Sequence, residues 1–361
     1  MVKTASLFSQ LLQQVPRHEF AKLVNTHQGE RNAKGFTCWT QFTAMLFCQL
    51  AHADSLREIC NGLACCLGKL VHLGIPRGPS KSNLSYANAH RPAALFEDLC
   101  WTMTNRFRAQ GHLGSRNHEF RFKNKLLSLD STTISLCLSL FPWAKFRRAK
   151  GGVKAHVLLD HDDYMPSYVL ISKAKMHDAN VLALLRLNPG SIVAMDRAYN
   201  DYTHFARWTE AGVSFVTRMK DNAVYEVIEE RPVPLHRTIL SDEIILLTNH
   251  LEFGAPTLAD IYKQRWQIEL FFKALKQNLR VKSFVGTTEN ALRIQIWTAL
   301  IALLLLKWLH HLSKAGWSLS TLASMLRLNL FTYRDLRDWL NDPLHTPPVE
   351  PLPEQLELAL S

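Results

Sequence analysis

The sequence predicts an α/β protein, a mixed sheet flanked by helices that follows an all-helical region, and three observations predict it. Over residues 1–110 the apolar positions recur at helical spacing. From Lys125 the pattern shortens to that of strands, in KLLSLDSTTISL and again in GVKAHVLLDHDDYMPSYVLISKAK, where two extended runs meet at a polar turn and read as a hairpin. Beyond the hairpin, helical and extended segments alternate.

In chain order, helices are expected near residues 5–14, 39–51, 55–67 and 93–108, the third opened by Ser55 and Glu58 at capping-box spacing. Between the last two lies GPSKSNLSYANAHRP. Its Lys81, Asn83, Ser85, Tyr86, Asn88 and His90 form one polar face of a short helix closed by Pro92. That face suits either DNA reading or a solvated connector. After the hairpin come a helix in HDANVLALLRL, a strand in SIVAMD, a helix in DYTHFARWTEAG and a strand in VSFVTRM. Short strands over residues 225–249 precede a helix, YKQRWQIELFFKALKQ, at 262–277. Three consecutive strands followed by alternating elements give the ribonuclease-H-like order. The most apolar stretch, residues 294–309, is interrupted by Gln295, Thr298 and Lys307, and reads as a buried helix rather than a membrane span.

Composition points to a polyanionic partner. The 361 residues carry a formal charge of +11, and residues 105–154 hold eleven Lys or Arg against only Glu119 and Asp130. Arg147 and Arg148 belong to this block. Seven cysteines without paired CxxC spacing support neither a disulfide framework nor a zinc site, and the first twenty residues lack the apolar core of a signal peptide. The cysteines read as reduced core residues of a cytosolic protein.

Two acids end apolar runs: Asp130 in LLSLD and Asp196 in SIVAMD. Both are expected at the carboxyl ends of core strands, where ligands of α/β sheets gather. In the helix at 262–277, Tyr262, Arg265, Glu269 and Lys276 stand at steps of 3, 4 and 7 residues, which returns them to one face bordered by apolar side chains. An ordinary Arg-Glu surface pair would give the same pattern. Three carboxylates, Asp130, Asp196 and Glu269, would suit two Mg²⁺ ions in a phosphoryl transfer. Asp160, Asp162 and Asp163 are better read as hairpin-turn residues, and Asp178 as a helix cap.

LDSTTI, MDRAYNDY and the signature Tyr-x2-Arg-x3-Glu-x6-Lys together resemble the DDE transposases of bacterial insertion sequences, in the subgroup named for insertion sequence four. The resemblance extends to the opening FSQLLQQVPRHEFAKLV. It implies a helical DNA-end-binding region at 1–110 with Lys81 and Asn83 among its contacts, a ribonuclease-H-like core at 120–220, a β-rich insert at 221–258, the catalytic helix and the rest of the core at 259–315, and a helical tail at 316–361. It implies Asp130, Asp196 and Glu269 as catalytic metal ligands for two Mg²⁺, with Mn²⁺ able to substitute. Tyr262, Arg265 and Lys276 would contact phosphate. The partners it implies are double-stranded DNA, as terminal inverted repeats and target, and a second copy of the chain; no membrane is involved. Asp196 and Glu269 are only 73 residues apart and no Trp lies between Trp208 and Trp266. The insert is therefore expected to be shortened, with strands lost between Leu247 and Thr248. The alternatives are a remnant that only binds DNA, and a general nuclease of the same fold.

Overall fold

A computed structural model of the chain describes residues 5–31, 33–65, 69–113, 120–147, 150–227, 245–281 and 283–348. The chain divides into a helical unit, made of Met1–Ser115, Ser139–Trp143 and Phe272–Ser361, and an α/β unit, made of Arg116–Leu138 and Ala144–Phe271. Arg148, residues 228–244 of the expected insert and residues 349–361 of the expected tail lie outside the described residues.

The helical unit opens with α1 (Leu7–Leu12), α2 (Arg17–Thr26), α3 (Cys38–Ala51), α4 (Leu56–Ala64), α5 (Lys81–His90) and α6 (Ala93–Ala109). Ser55 caps α4 as its spacing predicts: its Oγ accepts the Glu58 amide at 3.2 Å, while Glu58 reaches back to the Asp54 amide at 2.8 Å. Ser80 caps α5 in the same way, through the Asn83 amide. Lys81, Asn83, Ser85, Tyr86 and His90 are exposed on α5. Asn88 is not part of that face. It is buried, and its Oδ1 accepts the Gln41 side-chain amide at 2.8 Å.

The α/β unit holds one seven-stranded sheet: β1 (Leu126–Leu136), β2 (Lys145–Arg147), β3 (Lys150–Asp160), β4 (Met165–Lys173), β5 (Ile192–Met195), β6 (Ser214–Arg218) and β7 (Leu246–Thr248). Their order is β2-β3-β1-β5-β6-β7, with β4 also paired to β3. β5 and β6 run parallel to β1, and every β5 side chain is buried, as expected of a strand covered on both faces. One face packs on α7 (Tyr202–Glu210) through Leu127, Leu129 and Phe205. The other packs on α8 (Ala255–Gln264) through Leu126, Ile192 and Ile261. α9 (Trp266–Asn278) follows α8.

Several expectations are corrected here. HDANVLALLRL forms only a 3-10 turn, Asp178–Leu184, whose cap is His177 and not Asp178. The helix at 262–277 is interrupted at Arg265, where the Arg265 amide bonds to Tyr262 O and the Ile268 amide to Arg265 O, both three residues back. The point between Leu247 and Thr248 lies inside β7, which pairs antiparallel with β6. The helical segment after Phe272, expected to complete the α/β core, belongs to the helical unit.

That segment continues into α10 (Glu289–Leu312), α11 (Leu319–Asn329) and α12 (Leu336–Asn341). Among the described residues α10 is the one helix long and apolar enough to cross a membrane. Its apolar surface is covered within the helical unit by α3, α5, α6, α11 and α12, as a helix apolar on all sides requires. Gln295 is polar for a reason that its sequence context hides: fully buried, it donates to Arg280 O and Ser283 O, each at 2.7 Å, and accepts the Val285 amide at 3.0 Å. It thereby satisfies the backbone of the connection that precedes α10. Gln295→Leu should cost about 3 kcal/mol, because three backbone groups lose their partner in the interior. Urea denaturation measures this, and a wild-type midpoint would show that the clamp contributes nothing.

Candidate active site

Asp130 and Asp196 are brought together by strand register. β1 and β5 pair in parallel up to Leu129 opposite Met195, so each acid stands one residue beyond the last shared pair. Asp196 ends its strand as expected, whereas Asp130 does not, because β1 continues to Leu136. One strand stops at this point and its neighbour goes on. By alternation Asp130 shares the face of Leu126, which is the face covered by α8.

Residues around Asp196 hold it in place. Tyr199 is a buried plug, the Asn200 side chain donates to Arg218 O at 2.9 Å and accepts from Thr217 Oγ1 at 2.9 Å, and Asp201 caps α7 by accepting the His204 amide at 3.1 Å. That backbone bond holds the Asp201 carboxyl below its usual range. Asp196 opens the turn Arg197–Tyr199 without a side-chain capping bond, so its carboxylate is not spent on the backbone there.

Glu269 reaches the same place through Arg265. The Arg265 guanidinium donates from Nη1 to Asp130 Oδ2 at 3.1 Å and from Nη2 to Glu269 Oε1 at 3.0 Å. It also lies 5.7 Å from the centre of the Tyr262 ring. Burial opposes its charge, but Asp130, Tyr262 and Glu269 outweigh burial and hold it above its ordinary value. Asp130 behaves in the opposite way. Desolvation dominates and raises it to about 6, the Ser131 amide at 2.7 Å and Arg265 pull it down, and the charges of Asp196 and Glu269 push it up further. The three acids therefore feel one another.

Among the described residues no three acidic, imidazole or thiol groups converge closely enough to hold a metal ion. The donor chemistry nevertheless fits a hard divalent cation, since Asp130, Asp196 and Glu269 offer only carboxylate oxygens. A guanidinium stands as the cation between two of them.

Asp178, expected as a helix cap, has another task. It accepts Ser131 Oγ at 2.8 Å and both its oxygens bond Lys154 Nζ, at 3.0 and 2.9 Å. His156 beside it is buried and pushed down to about 4, which leaves it neutral. This polar group anchors β1 next to Asp130, and nothing in the local spacing of HDANV signals it. Lys154 and Lys125 of the basic block are thus committed to ion pairs, the latter with Asp160 at 2.7 Å. Arg147 lies in β2. Lys276 lies on α9 beyond Phe272, in the helical unit, as do Lys81 and Asn83 on α5.

A mixed sheet of this order, with acids gathered where β5 ends, is that of the ribonuclease-H-like enzyme cores. The chain belongs to the transposase DDE domain family, whose model matches residues 121–305. Residues 3–76 match a domain of unknown function, DUF4372. A protein of Sinorhizobium fredii named as a transposase is 30% identical over 72% of this chain and 80% of its own length. One named for an insertion sequence element of Geobacillus stearothermophilus is 32% identical over 54% of this chain and 59% of its own length. A third, from Synechocystis, is 25% identical over 65% and 73%. The solved synaptic complex of piggyBac transposase with hairpin DNA aligns over 95% of this chain and 81% of that one at TM-score 0.45 and 10% identity, too remote to inform the site.

The electrostatics of Asp130 make a prediction about the chain without divalent ions. Its folded pKa of about 6 exceeds the ordinary 3.8, so between those values the folded form keeps a proton that the unfolded form releases, and stability falls as pH rises through that window. Asp130→Asn removes the ionisation. Thermal unfolding in chelator should then show the variant more stable than wild type by about 3 kcal/mol near pH 8 and equal to it at a pH well below 3.8. A difference of the same size at both pH values would mean that ionisation is not its source.

Proposed function

We propose that the chain catalyses cut-and-paste transposition of an insertion sequence: water cleaves DNA at the element's ends, and the freed 3′-hydroxyl then attacks target DNA. The observation that carries this reading is the Arg265 bridge between Asp130 and Glu269, with Asp196 set next to Asp130 by the β1–β5 register.

Asp130, Asp196 and Glu269 would hold two Mg²⁺ ions, with Mn²⁺ able to substitute, and these supply Lewis-acid stabilisation of an in-line phosphoryl displacement. The remaining roles belong to this chain's own side chains. Arg265, whose Nε is buried without an acceptor, turns its guanidinium toward a scissile phosphate once its carboxylate partners are otherwise engaged. Tyr262 backs that guanidinium, and Lys276, Arg147, Arg148, Lys81 and Asn83 contact phosphate along the DNA. The relatives named as transposases of insertion sequence elements support an element of that kind as the substrate, and the complete Tyr-Arg-Glu-Lys signature supports the subgroup of insertion sequence four. Terminal inverted repeats, a homodimer bridging two ends, and work in the cytoplasm at the nucleoid complete the reading.

Asp130→Ala, Asp196→Ala and Glu269→Ala should each abolish Mg²⁺-dependent cleavage of end DNA while leaving its binding largely intact. Cleavage at the wild-type rate by any one of them removes that residue from the set of ligands.

The 72 residues between Asp196 and Glu269 leave little chain for holding an extruded base, a step that costs a few kcal/mol. Nicking should therefore outpace double-strand release in a plasmid excision assay. Efficient release would show that the short connection suffices.

A further inference from the structure

A concave site lies entirely within the helical unit, between the turn that follows α2 and the outer face of α5, and has a volume of about 600 Å³. Its construction is specific. Gln28 adopts a left-handed φ of 50°, and the next residue must be glycine, because a Cβ at Gly29 would stand 2.8 Å from Cys38 Sγ. At the end of α5, Arg91 staples the opposite wall: it donates to Phe36 O, to Thr37 O at 2.9 Å and to Gln41 Oε1 at 3.2 Å, and lies 5.2 Å from the centre of the Phe36 ring.

What faces the cleft is cationic and aromatic. Arg31 and Lys34 are exposed at its rim, and among the described residues no carboxylate lines it. The acids nearby are engaged: Asp98 pairs with His27 at 2.7 Å, and Glu30 accepts the Cys38 amide. Tyr86 is 67% exposed and stacks on His90 with ring centres 4.1 Å apart, so one face of the Tyr86 ring is backed and the other is open.

We propose that this cleft binds one unpaired nucleotide of a DNA strand, its phosphate taken by Arg31 and Lys34 and its base laid on the open face of Tyr86. The inference rests on the reading of the chain as a DNA transposase, and it gives a task to the segment matched by the domain of unknown function, which supplies one wall. A pocket of a few hundred cubic ångströms suits a small-molecule-sized group rather than a duplex. A single backed aromatic beside cations is how single strands are held without reading sequence.

The probes are a labelled oligothymidylate of about twelve nucleotides and a blunt duplex of equal length, with binding followed by anisotropy across a salt series. All substituted side chains are exposed, so the variants fold. Tyr86→Ala should weaken oligothymidylate binding about tenfold and leave the duplex unchanged, while Tyr86→Phe keeps wild-type affinity for both. Arg31→Gln and Lys34→Gln should each flatten the single-strand salt slope by about 0.7. Unchanged oligothymidylate affinity and slope in all variants, with wild type binding normally, overturns the cleft assignment alone. An equal loss on duplex and single strand also overturns it, as the surface would then be a duplex contact. A wild-type chain that binds neither probe overturns the DNA reading itself and this site with it.

Discussion

One register governs the site. Because Leu129 lies opposite Met195 in parallel pairing, two segments far apart in the chain present their next residues side by side, and both are aspartates. A slip of one residue would send Asp130 to the other face of the sheet, among the side chains that pack on α7. The register is protected from both sides: the β5 strand is buried throughout, and β1 is zipped to β3 along its whole length. Among the described residues no strand pairs with that edge of β1 beyond Leu129, and Asp130 and Asp196 stand where the pairing ends.

An acid buried beside two others needs a compensating charge. Arg265 supplies it where the α8-α9 helix is interrupted, and the interruption is a small geometric matter: two successive bonds three residues apart in place of four. The residue therefore leaves the regular helical stripe and inserts between the carboxylates. The result is strained in the electrostatic sense, since Asp130 remains costly to ionise even with a guanidinium on it. Any further positive charge placed against Asp130 lowers that cost.

Much of this was legible in the residues. Apolar runs that end in aspartate marked Asp130 and Asp196 because core strands and buried acids are both conspicuous, and the Ser55 cap was readable because its chemistry is local. The failures share a cause. The break at Arg265, the 3-10 turn at Asp178–Leu184 and the burial of Asn88 depend on partners distant in sequence, and periodicity carries no information about them. Gln295 is the clearest case: among leucines it reads as an interruption, yet its burial is explained once the backbone of residues 280–285 is folded beside it. DUF4372, as a name, and the α5 face, as a pattern, were silent on the cleft they form for the same reason.

Apart from Ser139–Trp143, the helical unit is assembled from the two flanks of the sequence given, with the α/β unit encoded between them. On the ribosome α3 and α6 emerge long before α10, the helix that covers their apolar faces, and almost the whole α/β unit is synthesised in the interval. The sheet, whose strands are all contributed by one stretch, can close while the chain is still being made. The N-terminal helices must wait, with their packing surface bare. Expression of this chain is therefore most vulnerable to aggregation during that wait, and a nascent chain stalled before α10 would be the species a chaperone has to shield.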